Sequence, residues 1–280
     1  MKWIEIKNRI QKLTNDANSE FYKYTFNEAL SILVRERFIA RVALSTFKDS
    51  IILKGGLLLT MVYTKSARYT GDADIGLPHA YALKDYQQAI DSVLAVDLKD
   101  GFSFKRNKGE ILSNEIRKYD GAQFTIICDF AAKQQNRFNL DIGVGDIVTP
   151  TKAKLPTLKD FEASSVELLV YPPETIAAEK LHAIINHGIK NSRFKDFYDL
   201  YVLRDYVDKK KFMAAVKLTF AQRKMPYPGK LPEMPEEITE LQPKWTSFLK
   251  SKRYRILKTV PKDLREIMEA IREFYGTEKP

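Results

Sequence analysis

Two aspartates stand one residue apart in the segment RYTGDADIGL, Arg68 to Leu77. On an extended chain residues i and i+2 share a face, so Asp72 and Asp74 point their carboxylates the same way, about 6 to 7 Å apart. Like charges so placed repel, and a shared proton or a hard divalent cation with oxygen ligands relieves them. Two polar residues on the solvent side of an edge strand give the same pattern, so the neighbours of the pair decide between the readings. Upstream, Gly55 and Gly56 close the apolar run IILK where a strand meets a helix. Bare backbone N–H groups and the helix dipole hold phosphates at such a junction, although tight packing also selects glycine there. A third carboxylate, Asp141 in NLDIGVGD, completes the set if its strand pairs beside that of Asp74. Asp146 reads as a turn residue, and the facing of Asp129 is open.

The second half offers another constellation. In ETIAAEKLHAII, Lys180 lies at the margin of an apolar helical stripe formed by Ile176, Ala177, Leu181 and Ile184. In RFKDFYDL, Asp196 and Asp199 are three apart and project from one helical face, and Lys195 sits four before Asp199, the spacing of a simple surface ion pair. Arg68 has a phosphate or a neighbouring carboxylate as its natural partner. His79, His182 and His187 lack the spacing of a zinc motif and read as non-catalytic.

The elements that must position these residues follow from periodicity. Apolar residues recur at helical spacing from Ile4 to Phe47, broken near Asn15 to Ser19, which predicts two helices. IILKGG is a short buried strand, LLLTMVYT a helix, DADIGL a strand, Ala82 to Val96 a helix, and Phe102 to Gly145 mainly strand with a hairpin at KQQN. After TPTKAKLP the texture changes: VELLV is a last strand, Pro172-Pro173 opens a helix, and four or five helices follow to the end. The expected organisation is an α/β domain over 1–160 with N-terminal helices, followed by a helical domain over 161–280.

The chain has 280 residues, 44% of them hydrophobic, enough for a substantial core. No early basic-apolar-cleavage pattern and no long uninterrupted apolar run is present, so a cytoplasmic, membrane-free protein is expected. One cysteine, Cys128, excludes an internal disulfide and reads as a buried apolar residue. Formal net charge is +10, and residues 151–280 hold 25 basic against 18 acidic residues, a surplus of 7. The densest stretches are Lys209 to Lys230 and KSKRYRILK, Lys250 to Lys258, where Tyr254 stands among the cations, a mixture suited to phosphates and bases.

LKGGLLL, RYTGDADIGL, ETIAAEKLHAII and NSRFKDFYDLYVL, in this order across Ile51 to Leu203, resemble the AbiEii/AbiGii toxin family of nucleotidyltransferase-like proteins. The resemblance implies an α+β fold: a polymerase-beta-like nucleotidyltransferase lobe with a mixed sheet plus a helical C-terminal lobe. It implies the toxin of a type IV toxin–antitoxin, abortive-infection pair, with a cognate antitoxin as partner, Mg2+ as cofactor and an NTP as substrate. Some relatives transfer nucleotides to tRNA 3′ ends, so RNA, tRNA above all, is the implied acceptor. Carried over residue by residue, Gly55 and Gly56 match the glycine motif and Asp72 and Asp74 the metal-binding pair. Lys180 matches a lysine that contacts nucleotide phosphates, and Lys195, Asp196 and Asp199 match a K-D-x-x-D motif, one of whose aspartates is required for activity. Arg68 and Lys195 are placed with the nucleotide-binding residues, and Asp141 joins the metal ligands by fold analogy. The chain departs from the pattern at Leu57, where a Ser or Thr is common, and at His187, where an arginine is common.

The expected chemistry is transfer of a nucleotide to an RNA hydroxyl, with Asp141, Asp196 or Asp199 receiving the proton. Two other readings stand beside it: a nucleotidyltransferase-fold module without turnover that binds RNA or a protein, and a D-x-D glycosyltransferase.

Overall fold

The computed structural model describes residues 3–63, 68–112, 121–130, 134–157, 164–188, 193–229, 235–250 and 260–275. The chain divides into two compact units. One comprises Met1–Val62, Tyr69–Asp146 and Pro150–Val170, and the other Tyr63–Arg68, Ile147–Thr149 and Tyr171–Pro280.

The first unit is a mixed α/β structure. Helix α1 (Trp3–Asn15) and a 3-10 turn (Glu20–Lys23) precede the long helix α2 (Phe26–Leu44). Thr25 caps α2 through a reciprocal pair with Glu28, which satisfies donors the first turn would leave open. Strand β1 (Ile52–Lys54) runs into α3 (Gly55–Leu58), continued by a π-helical turn (Leu59–Tyr63); then come β2 (Ala73–Leu77), α4 (Leu83–Leu94), β3 (Phe102–Leu112), β4 (Gly121–Phe130), β5 (Gln134–Val144), β6 (Thr151–Thr157) and β7 (Ser164–Val170).

The seven strands form one sheet in the order β3-β4-β5-β2-β1-β7-β6. Pairs β2–β5 and β1–β7 are parallel and the others antiparallel. Alternation sorts the two faces. Leu53, Ala73, Ile75, Leu140, Ile142, Ala122, Phe124 and Ile126 are buried on one side, and Phe38 of α2 lies over that side with its ring 5.4 Å from Phe138 and 6.3 Å from Phe104. The intervening residues, Lys54, Asp74, Asp141 and Gln123, therefore belong to the opposite face. Two buried arginines of α2 are matched by one carboxylate. Arg37 Nε lies 2.7 Å from Asp100 Oδ2, and Arg41 donates to both oxygens of Asp100 and to the carbonyl of Phe102.

One stretch differs from its reading as a boundary. TKAKLPT is β6, an edge strand, with Ala153 and Leu155 alternating with Lys152 and Lys154. Lysines on an edge deter pairing with other chains, and Pro156, which lacks a ladder donor, is tolerated there.

The second unit is helical: α5 (Pro173–His187), α6 (Phe194–Leu203) with a 3-10 turn (Arg204–Tyr206), α7 (Lys209–Gln222), α8 (Pro235–Lys250) and α9 (Leu264–Tyr275). Pro173 occupies the first turn of α5, where its missing N–H costs nothing. The core is aromatic: Trp245 is fully buried, stacked on Phe248 at 5.2 Å and against Phe194 at 5.9 Å, and the Tyr275 hydroxyl donates to the carbonyl of Leu200. Glu174 accepts from the backbone N–H of Asp208, joining the start of α5 to the start of α7. Among the described residues no helix is long and apolar enough to cross a membrane.

Candidate active site

In the first unit the register of four strands lines up a row of side chains. Gln123 on β4 pairs with Asp141 on β5, Asp141 with Asp74 on β2, and Asp74 with Lys54 on β1. Residues paired in this way share a face, and neighbouring strands are about 4.8 Å apart, so the carboxylates of Asp74 and Asp141 stand side by side. Asp141 is oriented by Gln123, whose Nε2 donates to its Oδ1 at 2.6 Å. Asp72, two residues before Asp74, is exposed just ahead of the strand.

The glycine pair meets this row directly. Gly55 has a left-handed φ of +70°, and a Cβ there would overlap the carboxylate of Asp74. Any other L-residue would be strained by the dihedral and would also displace the aspartate. At Gly56 a Cβ would come within 3.1 Å of Thr70, so this glycine brings the first turn of α3 against the segment that leads into Asp72. Leu57 is fully buried, so the position where relatives often carry a hydroxyl faces the core here. Lys54 ends β1 and extends its ammonium over Gly143 to Asp146, with Nζ and Oδ2 2.8 Å apart.

The donor set is all oxygen: two carboxylates in register, with Asp72 beside them. Such a set suits a hard cation of the Mg2+ kind, which is held by one or two carboxylates while substrate phosphates supply further oxygens. Among the described residues no group of three or more His, Cys, Asp or Glu gathers into a self-sufficient cage. A cation here would depend on the nucleotide for its remaining ligands.

In the second unit four of the expected residues join in one buried network. Asp199 on α6 has no exposed surface. It accepts from Arg68 Nε at 3.0 Å and Nη2 at 3.1 Å in a two-pronged pair, while Lys180 Nζ on α5 lies 2.6 Å from its Oδ2. Asp196, one turn earlier, takes Lys180 Nζ at 3.3 Å and forms an ion pair with Arg193 at 2.9 Å. Burial alone would raise the Asp199 carboxyl, but Arg68 and Lys180 overcome it and hold the group below the usual carboxylate range. Burial alone would lower the Lys180 ammonium, and Asp199 followed by Asp196 outweighs it, leaving the lysine above its ordinary value. Both groups are therefore charged at neutral pH. Lys195, at the spacing of a surface ion pair with Asp199, is exposed and makes no ion pair with a described residue. A buried lysine and arginine reach the carboxylate first.

The remaining expectations are placed as follows. Cys128 is buried, and burial pushes its thiol up. His182 is pulled down to about 4 by burial and by Arg223, whose Nη1 lies 3.1 Å from its Nδ1, so the neutral ring accepts from the guanidinium. His187 is exposed at the last residue of α5. Asp129 pairs with Lys105 at 2.8 Å. Of KSKRYRILK only Lys250 falls within the described residues.

Three side chains at the first cluster escaped the sequence reading: Lys54, Gln123 and Arg35. Lys54 left a signal, a charge closing a strand otherwise buried, directly before the glycine pair. Gln123 is ordinary in sequence and gains meaning only from its register with Asp141. Arg35, inside the apolar run SILVRERFIARV, breaks a hydrophobic stretch as a buried charge does.

A family model described as "Nucleotidyl transferase AbiEii toxin, Type IV TA system" matches residues 37–270. No curated protein matches the chain. Among solved structures the chain is similar to an antigenic nucleotidyltransferase-like protein from Paracoccidioides brasiliensis, with 14% identity over 89% of this chain and 94% of that one and a TM-score of 0.39.

Proposed function

The chain belongs to the family of nucleotidyl transferase AbiEii toxins of type IV toxin–antitoxin systems, and from that premise we propose that it transfers a nucleotide from an NTP to an RNA hydroxyl with a divalent cation held by Asp72 and Asp74. The observation that carries this reading is the in-register pair of Asp74 and Asp141 with Gly55 packed against it. A divalent cation bound there supplies charge neutralisation on the triphosphate and on the departing pyrophosphate.

The chain's own residues do the rest. Asp72 and Asp74 fix the ion, and the backbone at Gly55 and Gly56 offers N–H groups to phosphate oxygens without a side chain in the way. The acceptor hydroxyl oxygen attacks the α-phosphorus, the α–β anhydride bond breaks, and the hydroxyl proton passes to a carboxylate. Asp141 suits that last role: it is partly exposed, and Gln123 aims one of its oxygens. Asp199 suits it poorly, because two cations already hold its carboxylate in a buried, strongly ionised state. We assign Asp196 and Asp199 to holding Lys180 and Arg68, and Lys180 to phosphate charge, the part its resemblance implies.

RNA as acceptor is supported by charge. Residues 209–232 contain no Asp or Glu, and Lys210, Lys211 and Lys217 are exposed on α7 without an ion pair to a described residue. Fixed cations of this kind attract a polyanion and release its counterions. A tRNA 3′ end is the proposed acceptor, a cognate antitoxin the proposed partner, and the cytoplasm the proposed location.

The test incubates purified protein with each labelled NTP and total RNA, with and without Mg2+. Label should enter RNA only with the metal, and Asp74→Asn should remain folded by circular dichroism and transfer nothing. Full transfer by that variant would sink the assignment.

A further inference from the structure

Helix α2 buries three arginines. Arg37 and Arg41 are matched by Asp100, whereas Arg35, 1% exposed, hydrogen-bonds to no carboxylate among the described residues. Its guanidinium is engaged by main-chain oxygens: Nη2 donates to the carbonyl of Thr70 at 2.6 Å and Nη1 to that of Gly71 at 3.3 Å, with the Tyr69 ring 5.4 Å away. These are the residues immediately before Asp72. The other side of the same segment is bounded by Gly56, against which the Thr70 side chain packs. At Gly71 itself an added Cβ would meet nothing within 4 Å, so packing does not confine that glycine. A glycine in open space is the freest residue in a chain, and here a buried cation restrains it with one hydrogen bond to its own carbonyl and one to that of Thr70 before it.

We propose that Arg35 is a positioning residue for the acidic pair: by holding the carbonyls of Thr70 and Gly71 it fixes the direction in which Asp72 leaves the chain, and so its spacing from Asp74. This rests on the reading of Asp72 and Asp74 as holders of a divalent cation. Lysine keeps the charge but loses the planar fork that spans two carbonyls, so Arg35→Lys removes the hold with little change of volume. Arg37→Lys, also buried on α2 but directed at Asp100, is the matched control.

The experiment titrates Mn2+ into wild type, Arg35→Lys, Arg37→Lys and Asp74→Asn, following free Mn2+ by electron paramagnetic resonance. Amide hydrogen exchange of the peptide spanning Tyr69 to Ala73 is measured on the same proteins. Arg35→Lys should weaken Mn2+ binding about tenfold or more, as loss of an outer-shell partner does, and speed exchange in that peptide. Arg37→Lys should lose thermal stability yet keep both readouts. Wild-type affinity and exchange in Arg35→Lys overturn the proposal, as do equal losses in Arg37→Lys. If wild type binds no Mn2+, or Asp74→Asn binds it equally well, the metal reading fails; faster exchange in Arg35→Lys alone still supports the hold on the segment, and unchanged exchange removes it. Should Arg35→Lys not fold, Arg35→Gln, which keeps one donor group, replaces it in both arms.

Discussion

Asp74 has Asp141 on one side, Lys54 on the other and the backbone of Gly55 against its carboxylate, so a change of charge there need not disturb packing. Asp74→Asn is expected to fold with wild-type secondary structure and to lose Mg2+-dependent stabilisation in thermal melts, along with transfer. The network around Asp199 behaves in the opposite way, because its charges are buried. Asp199→Ala would take from Arg68 and Lys180 the buried carboxylate they share and cost about 3–5 kcal/mol, while the joint change Lys180→Met with Asp199→Leu should recover part of that loss. Chemical denaturation of the two singles and the double decides, and additive losses would contradict a coupled pair. The pH dependence follows from the signs. Asp199 is depressed when folded, so its contribution is present above the ordinary carboxylate value near 4 and fades as pH falls through the lower folded value. Lys180 is raised, so its contribution is present below about 10.4 and fades as pH climbs through the higher folded value. Denaturation midpoints of wild type minus the uncharged double should therefore be flat between these limits and drop outside them.

Among the elements, the junction of β1 with α3 is the most constrained. Gly55→Ala places a side chain on a left-handed backbone, at about 1–2 kcal/mol for the dihedral alone, and adds the overlap with Asp74; Gly56→Ala presses only on Thr70. The first should lower both stability and nucleotide-dependent protection, the second should do so by less, and thermal melts with and without Mg2+ and NTP separate them. This junction was legible in sequence, because IILK followed by two glycines couples a change of period to residues that tolerate unusual dihedrals. The strand after the glycine pair was legible from its apolar residues, and it carries Asp74, with Asp72 just ahead of it. That Asp141 lies opposite Asp74 was not readable, since parallel register between residues 67 positions apart leaves no local trace. The partners of Asp199 were open in the sequence, a surface ion pair with Lys195 being one reading. Lys195 stands four residues away on the same helix, but α6 turns Asp199 inward, and burial selects Arg68 and Lys180. β6 was missed because its lysines and proline look like a linker until the strand is placed at the sheet's edge.

For the molecule entire, the surplus of basic residues in 151–280 is the property an RNA acceptor would feel. Replacing Lys210, Lys211 and Lys217 by Gln should leave turnover of a short RNA end nearly unchanged. It should also flatten the dependence of log Kd on log salt by about 0.7–0.9 for each lysine that neutralises a phosphate. An unchanged slope would remove α7 from the acceptor's path.

The sheet order carries a consequence for how the protein comes into being. Asp74 must wait for β5 before it has Asp141 as a neighbour, and β1 must wait for β7, which ends at Val170. Arg68 must wait 131 residues for Asp199. At about 5–20 residues per second, a ribosome spends several seconds between making the first and the last charged residue of either cluster. A nascent chain therefore lacks the first cluster until β5 has been made and the second until α6 has been made.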